Sequence, residues 1–213
     1  MRTWFSGLYS NALTVVRATG VMMMAGAIGA CAGGQVETGG DAVVSENQAN
    51  GARGCTQSEN LLLDTEFSET RGGVWTFRQH TGEISFSVER EDGGILINKF
   101  GKEPWMLYTQ SVAFPVSGDA TLRFSAELKG QIEYEPPLHG FDHIAGLFLQ
   151  PGKSRSASRV ATHQPNRGQW DWQTMTIEAA LLPGATSAQA GFVHQGGGSL
   201  WARNPSLVVI QCD

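Results

Sequence analysis

The sequence has little charge and lacks the patterns of a helical protein. Only 16% of its 213 residues are charged, whereas glycine is abundant, with 27 residues. Amphipathic helices need long charged faces, and no stretch of the chain provides them. Few charges and many glycines are typical of a chain with many tight turns and few exposed helices. The composition therefore argues against a helical bundle.

Basic clusters are absent as well. The chain has 15 lysines and arginines against 20 acidic residues, a formal charge of −5. Arg2 and Arg17 lie in a segment that we expect to be removed, which leaves 13 basic residues and a charge of −7. Proteins that bind nucleic acid concentrate positive charge on one surface. We therefore expect no nucleic-acid partner.

Catalytic motifs are also missing. No serine lies in a nucleophile-elbow context and no glycine-rich phosphate loop is present. One loop, 133–143, contains Glu133, Glu135, His139, Asp142 and His143, which could form a metal cluster or an acid pair. Its two prolines and a glycine oppose a helix that would align the histidines, so a solvated loop is favoured. We expect the protein not to be an enzyme, with an enzyme that uses this loop as the weakest alternative.

The longest apolar run, 21–30, is too short to span a bilayer. It follows Arg2 and Arg17 and has the length of a signal-peptide core. Its end, Ile28-Gly29-Ala30-Cys31, resembles the bacterial lipobox, which implies that residues 1–30 are a lipoprotein signal peptide and that Cys31 is lipidated. The alternative is an ordinary secretory signal with an accidental cysteine. By resemblance to lipoprotein sorting rules, Ala32 after the cysteine implies a cell envelope location at the outer membrane.

Residues 32–54 contain no aromatic residue and no periodicity. Such a segment cannot bury enough apolar surface to fold. We expect 31–54 to be the lipid-attachment cysteine and a flexible tether, with a reach of about 25 Å. The folded domain would then span 55–213.

Cys55 and Cys212 are the other two of three cysteines, and they lie at the two ends of this domain. In an oxidising compartment they should form a disulfide. Closing so long a loop is worth about 4–5 kcal/mol in the entropic description. The alternatives are two buried thiols or a metal site, and no histidine or cysteine lies near either residue to support a zinc site.

Short alternating segments dominate 55–213. Apolar and polar residues alternate through 84–88, 108–114, 122–128, 174–179 and 188–193, with turns such as Glu91-Asp92-Gly93-Gly94 and Pro183-Gly184 between them. Alternation of apolar and polar residues is typical of strands with one buried face. The pattern predicts an all-β fold, a β-sandwich of about ten antiparallel strands. Its last three strands read as an antiparallel meander.

Several short motifs occur in a familiar order: 60–67 (NLLLDTEF), 73–75 (GVW), 172–177 (WQTMTI), 183–186 (PGAT) and 196–207 (GGGSLWARNPSL). Together they resemble carbohydrate-binding modules of the family 4/9 type over about residues 58–211. The resemblance implies a galactose-binding-domain-like jelly roll and non-catalytic binding of a glycan. It also implies a structural calcium, but Ser68 and Arg203-Asn204 stand where acidic residues would help to bind it. We therefore predict no cofactor.

Sugar binding needs flat aromatic surface with planar polar groups around it. We expect the binding residues among the exposed aromatics and amides: Trp105, Tyr134, Phe141, His143, Trp170, Trp172 and Gln195. Tyr108 shares its parity with core residues, and the resemblance places Trp75 and Trp201 in the core. Strand parity puts Trp172 away from the face of Met175 and Ile177, and Trp170 lies two residues earlier on the same side. A role in covering the sheet edge is the alternative for this pair.

The sequence thus indicates a lipid-anchored envelope protein that binds a glycan or polysaccharide without catalysis. The alternative is a protein-interaction or envelope-assembly lipoprotein that uses the same scaffold without sugar.

Overall fold

A computed structural model describes residues 54–114, 119–133, 144–163 and 167–212. These ranges contain eleven strands and one short 3-10 turn at Arg155–Ala157. The strands are β1 (Cys55–Gln57), β2 (Trp75–Gln79), β3 (Phe86–Glu91), β4 (Gly94–Lys99), β5 (Met106–Ala113), β6 (Thr121–Glu133), β7 (Ala145–Pro151), β8 (Arg159–Thr162), β9 (Gly168–Ala180), β10 (Ser187–His194) and β11 (Gly197–Cys212).

The strands form two antiparallel sheets. The first sheet has the order β3-β4-β11-β6-β9, with β1 paired to the end of β11, and the second has the order β2-β5-β10-β7-β8. From β4 onward the chain passes repeatedly between the sheets, as in a jelly roll. The predicted all-β jelly-roll sandwich is confirmed.

The predicted C-terminal meander is wrong. Strands β9 and β11 lie on either side of β6 in the first sheet, whereas β10 lies between β5 and β7 in the second. Alternation reports only that one face of a strand is buried. Because both sheets bury a face against the same core, the pattern cannot say in which sheet a strand lies.

The predicted hairpin of β3 and β4 is confirmed. Asp92 and Gly93 connect the strands with φ values of 47° and 74°. Positive φ at both central residues matches the twist of a two-residue hairpin. Ile84, which the alternation placed on the buried face, lies outside β3 and is 68% exposed, so this face begins at Phe86.

The core lies between the sheets and contains a cluster of aromatic rings. Trp75 stacks on Tyr108 with ring centroids 5.4 Å apart, and its indole N–H donates to the Asp64 carbonyl at 3.0 Å. Phe67 and Phe192 pack against the same ring at 5.0 and 5.9 Å. The assignment of Trp75 and Tyr108 to the core is confirmed.

The two ends of the domain are joined by the predicted disulfide between Cys55 and Cys212. The segment after β1 is held along β11 by Asn60, whose Nδ2 donates to the Pro205 carbonyl at 3.1 Å. Its Oδ1 accepts from the Leu207 N–H at 3.0 Å. These bonds satisfy backbone groups where the ladder of β11 is irregular.

The predicted signal peptide, Cys31 and the tether lie outside the described residues, and so do Tyr134, Phe141 and His143. Within the described ranges no helix has the length and apolar character needed to cross a bilayer.

Candidate functional site

The outer face of the first sheet, turned away from the second sheet, carries two tryptophans in one row across the strands. Trp201 of β11 lies opposite Leu96 of β4 and Lys129 of β6. Trp172 of β9 lies on the other side of Lys129. We call Leu96, Trp201, Lys129 and Trp172 the aromatic row. Since neighbouring strands are about 4.8 Å apart, the tryptophan backbones are separated by about 10 Å.

A second row on the same face consists only of hydroxyl and amide side chains. Its members are paired with one another across β3, β4, β11, β6 and β9. This amide row comprises Ser87, Asn98, Ser199, Gln131 and Gln169. The Ser199 hydroxyl donates to Asn98 Oδ1 at 2.9 Å. The row lies two residues along the strands from the aromatic row, a distance of about 7 Å.

Trp172 is held by a cation on its ring. The Arg203 guanidinium carbon lies 4.1 Å from the ring centroid. Arg203 Nε and Nη2 each lie 2.7 Å from Glu127 Oε2, and Asn204 Nδ2 donates to Glu127 Oε1 at 2.9 Å. The hydrogen bonds from Asn204 and Arg203 lower the pKa of the Glu127 carboxyl. Arg203 and Asn204, which stand where the resemblance would place acidic residues, thus bind a carboxylate.

Trp201 was expected in the core, and this expectation is wrong. Its side chain is half-buried on the outer face, where its indole N–H donates to Glu91 Oε1 at 3.2 Å. Lys129 Nζ lies 5.1 Å from its ring centroid. The neighbours Leu200 and Ala202 are fully buried. Their alternation with Trp201 was the signal that could have placed this residue outside.

Trp170 does not share a side with Trp172, so that part of the prediction is also wrong. Leu128 pairs with Gln173, and Gly130 pairs with Trp170. Two residues of β9, Asp171 and Trp172, therefore lie opposite the single residue Lys129 of β6. This bulge turns Trp170 inward, where it is 8% exposed.

The inward position of Trp170 is shaped by its neighbours. Its ring stacks on His163 with centroids 4.5 Å apart and planes 15° from parallel. It also covers Gly130, where a Cβ would overlap the indole ring. A glycine in the interior of a strand often marks such a close approach. Gly130 was therefore the available sequence signal for the burial of Trp170.

The other predicted residues lie elsewhere. Trp105 precedes β5, with its carbonyl 3.1 Å from the His80 N–H and its ring edge-on to His80. His80 Nδ1 in turn lies 2.7 Å from Glu103 Oε2. Gln195 follows β10, and its N–H donates to the Ile144 carbonyl at 2.7 Å. Among the predicted binding residues that the structure describes, only Trp172 lies in the aromatic row.

Two groups of the interior are held in their neutral forms. Burial lowers the pKa of His194 to about 4, and its Nε2 lies 3.2 Å from the Gly198 carbonyl. Burial also raises the pKa of the Tyr108 phenol. Neither group reaches the outer face. No group of three or more histidine, cysteine or acidic side chains in the described ranges could hold a metal ion.

No protein-family model matches the sequence, and no curated protein matches it. Among solved structures, the enzymatically active domain of tailspike protein 4 of bacteriophage CBA120 is similar, with 11% identity and a TM-score of 0.50. The similarity covers 72% of this chain and 21% of that one, so the match spans about a fifth of the tailspike chain.

Carbohydrate-binding modules are also among the similar structures. A CBM4 module has 16% identity and a TM-score of 0.45, with 68% of this chain and 97% of that chain covered. A CBM61 module, solved in complex with β-1,4-galactotriose, has 11% identity and a TM-score of 0.45, with 73% and 100% covered. At such identities the comparisons concern the fold alone.

Proposed function

We propose that this protein binds a glycan without catalysis, on the outer face of the first sheet. The observation that supports the proposal is the aromatic row beside the amide row. An indole presents a flat apolar surface to the C–H face of a pyranose ring. Amides and hydroxyls placed beside such a surface can pair with the hydroxyls at the edge of the sugar.

The spacing of the two rows suits a sugar chain that crosses the strands. A chain lying on Trp201 and Trp172 has one edge directed toward Asn98, Ser199 and Gln131. Its other edge is directed toward Glu127 and Asn204. Both edges therefore meet groups that donate or accept hydrogen bonds.

The cations on the two rings favour a preformed site. Arg203 is bound to Glu127 and also stacks on Trp172. The Trp172 indole is therefore oriented before a ligand arrives. A side chain that is already ordered loses less conformational entropy on binding.

A glycan array tests this function. The wild-type protein should show selectivity among saccharides, and a Trp172→Ala/Trp201→Ala double variant should lose the signal. Val160→Ala is the matched control, because Val160 is 42% exposed on the edge strand β8 of the second sheet. A blank array for the wild type, or a double variant that binds as well as the wild type, would contradict the proposal.

The N-terminal region extends the proposal to an anchor in a bacterial envelope. The apolar run 21–30 and the Ile28-Gly29-Ala30-Cys31 sequence support a signal peptide and lipidation of Cys31. Two or more acyl chains are enough for a stable anchor. The sequence 32–54 supports a tether that holds the domain near the membrane, and Ala32 supports the outer membrane.

We predict that Cys31→Ser removes the lipid and the membrane attachment. The substituted protein should be recovered in the soluble fraction, and its intact mass should lack the acyl chains. Unchanged fractionation together with unchanged acylation would reject the anchor.

One observation favours the alternative of a protein-interaction lipoprotein. Ile84 and Phe100 are 68% and 62% exposed. They lie near each other, because the Phe100 N–H donates to the Ser85 carbonyl at 3.0 Å. Exposed apolar side chains that adjoin one another can mark a protein contact. A blank glycan array, with a partner captured by wild type and not by Phe100→Ser, would favour this second function.

A further inference from the structure

We propose that the bound glycan is acidic, with a sugar carboxylate that contacts Lys129 between the two tryptophans. This inference rests on the proposed function, because it assigns the class of ligand to the same face. It concerns the middle of the aromatic row rather than the two stacking residues.

The position of Lys129 is central. On the outer face it lies between Trp201 of β11 and Trp172 of β9, with its Nζ 5.1 Å from the Trp201 ring centroid. A glycan that crosses from Trp201 to Trp172 therefore passes the position of Lys129. The backbone separation of the indoles, about 10 Å, leaves one strand spacing on each side of it.

The other cations of β6 and β11 on this face are already neutralised. Arg203 is bound to Glu127 at 2.7 Å, and Arg123 Nε lies 2.6 Å from Glu178 Oε1. Among the described residues, no carboxylate lies within salt-bridge distance of Lys129. This cation is therefore the one of the three that can take a carboxylate from a ligand.

Nearby acidic residues limit the kind of anion that the face accepts. Glu91 accepts from the Trp201 indole N–H, and Asp171 Oδ1 accepts from the Trp172 backbone N–H at 2.8 Å. Glu89 of β3, which pairs with Leu96 beyond the end of the aromatic row, is three strand spacings from Lys129, about 14 Å. Like charges disfavour a ligand with an anion over these positions. The face thus suits one carboxylate at a defined sugar, as in a uronic acid, rather than a polyanion.

A charged hydrogen bond gives this position its selectivity. An ammonium–carboxylate contact is stronger than a bond between the same ammonium and a sugar hydroxyl. Lys129 is half-buried, so part of this difference remains against solvent screening. We expect an acidic sugar to bind about five- to tenfold more tightly than its neutral counterpart.

The experiment uses three pairs of trisaccharides: one pair with glucuronate, one with galacturonate and one with mannuronate as the middle sugar. Each is matched by its carboxyl-reduced form. Titration calorimetry with the wild-type protein should show tighter binding of the acidic member of at least one pair. Lys129→Met, which keeps much of the aliphatic stem, should abolish the preference, whereas Lys129→Arg should retain it. Lys153→Met, in an exposed turn after β7, removes the same charge elsewhere and should leave the preference unchanged.

The possible outcomes distinguish the preference for an acidic sugar from glycan binding itself. If the neutral members bind as well as the acidic ones, or if no acidic member binds, the inference is overturned. A neutral saccharide that still binds on the array leaves the proposed function standing. A preference that survives in a folded Lys129→Met protein, with an unchanged melting temperature, would also overturn the inference.

Discussion

The two sides of the first sheet differ most where β9 passes β6. On the inner side, Trp170 covers Gly130 and stacks on His163, so its ring completes the core. On the outer side, two residues later, Trp172 carries Arg203 on its ring and shares a row with Trp201. Two tryptophans that are two residues apart thus lie in different surroundings. The inner one is held by apolar packing, and the outer one by contacts with a cation.

Burial, and not residue type, distinguishes these two tryptophans: Trp170 is buried in the core, whereas Trp172 is half-buried on the outer face. Inner aromatics should determine the free energy of unfolding, whereas outer ones should determine affinity. Three measurements test this expectation.

The largest effect is expected at the inner tryptophan. Trp170→Ala leaves a cavity over Gly130, and truncation of a buried tryptophan costs about 3–5 kcal/mol of unfolding free energy. Denaturant unfolding measures the loss. If the variant is as stable as the wild type, Trp170 does not belong to the core in solution.

A somewhat smaller effect is expected from acid acting on the inner side. His194 is fully buried next to Phe86, and its folded-state pKa of about 4 lies below the unfolded value of about 6.5. Between pH 6.5 and pH 4 the imidazole is protonated in the unfolded chain but neutral in the folded one, so protons favour unfolding. The contribution of neutral His194 to the free energy of unfolding is therefore complete above pH 6.5 and is lost as the pH falls to 4. The loss amounts to about 3 kcal/mol.

Stability measured between pH 7 and pH 4 tests this effect. His194→Gln should show a flatter profile over this interval than the wild type, because glutamine does not titrate. Identical slopes in the two proteins would show that another group is responsible for the acid sensitivity.

The smallest effect on stability is expected on the outer side. Trp172→Ala and Trp201→Ala should each change the unfolding free energy by only about 1 kcal/mol, since both rings are half-buried. Each should weaken glycan binding about ten- to thirtyfold, which corresponds to about 1.4–2 kcal/mol of stacking. Calorimetric titration and thermal unfolding of the same samples give both numbers. A large loss of stability with unchanged affinity would move the site to another surface.

Much of the fold could be predicted from local patterns. Alternation through β6 identified Leu122, Phe124, Ala126 and Leu128, all of which are buried. The Asp92-Gly93 turn predicted its hairpin because only a few residues accept positive φ at both positions. The cysteines at the two ends of the domain predicted their disulfide. The strands and the hairpin depend on residues that are neighbours in sequence, and the disulfide follows from the number and positions of the cysteines.

The candidate site could be predicted only in part. Trp172 was identified because its parity is opposite to that of Met175 and Ile177, and this alternation holds because β9 is regular from Gln173 onward. Trp170 was misplaced because one extra residue in the bulge reverses the parity before it. The amide row could not be found, because only β3 and β4 among its five strands are neighbours in sequence and the pairing of the others was unknown.

Most of the longer strands, their apolar faces and several turns could be predicted from the sequence alone, because these follow from local steric preferences and side-chain polarity. The partners of each strand, the bulge at Trp172 and the order of side chains across the outer face depend on the tertiary structure. Register between distant strands comes from packing a common core, and that packing is a property of the whole chain.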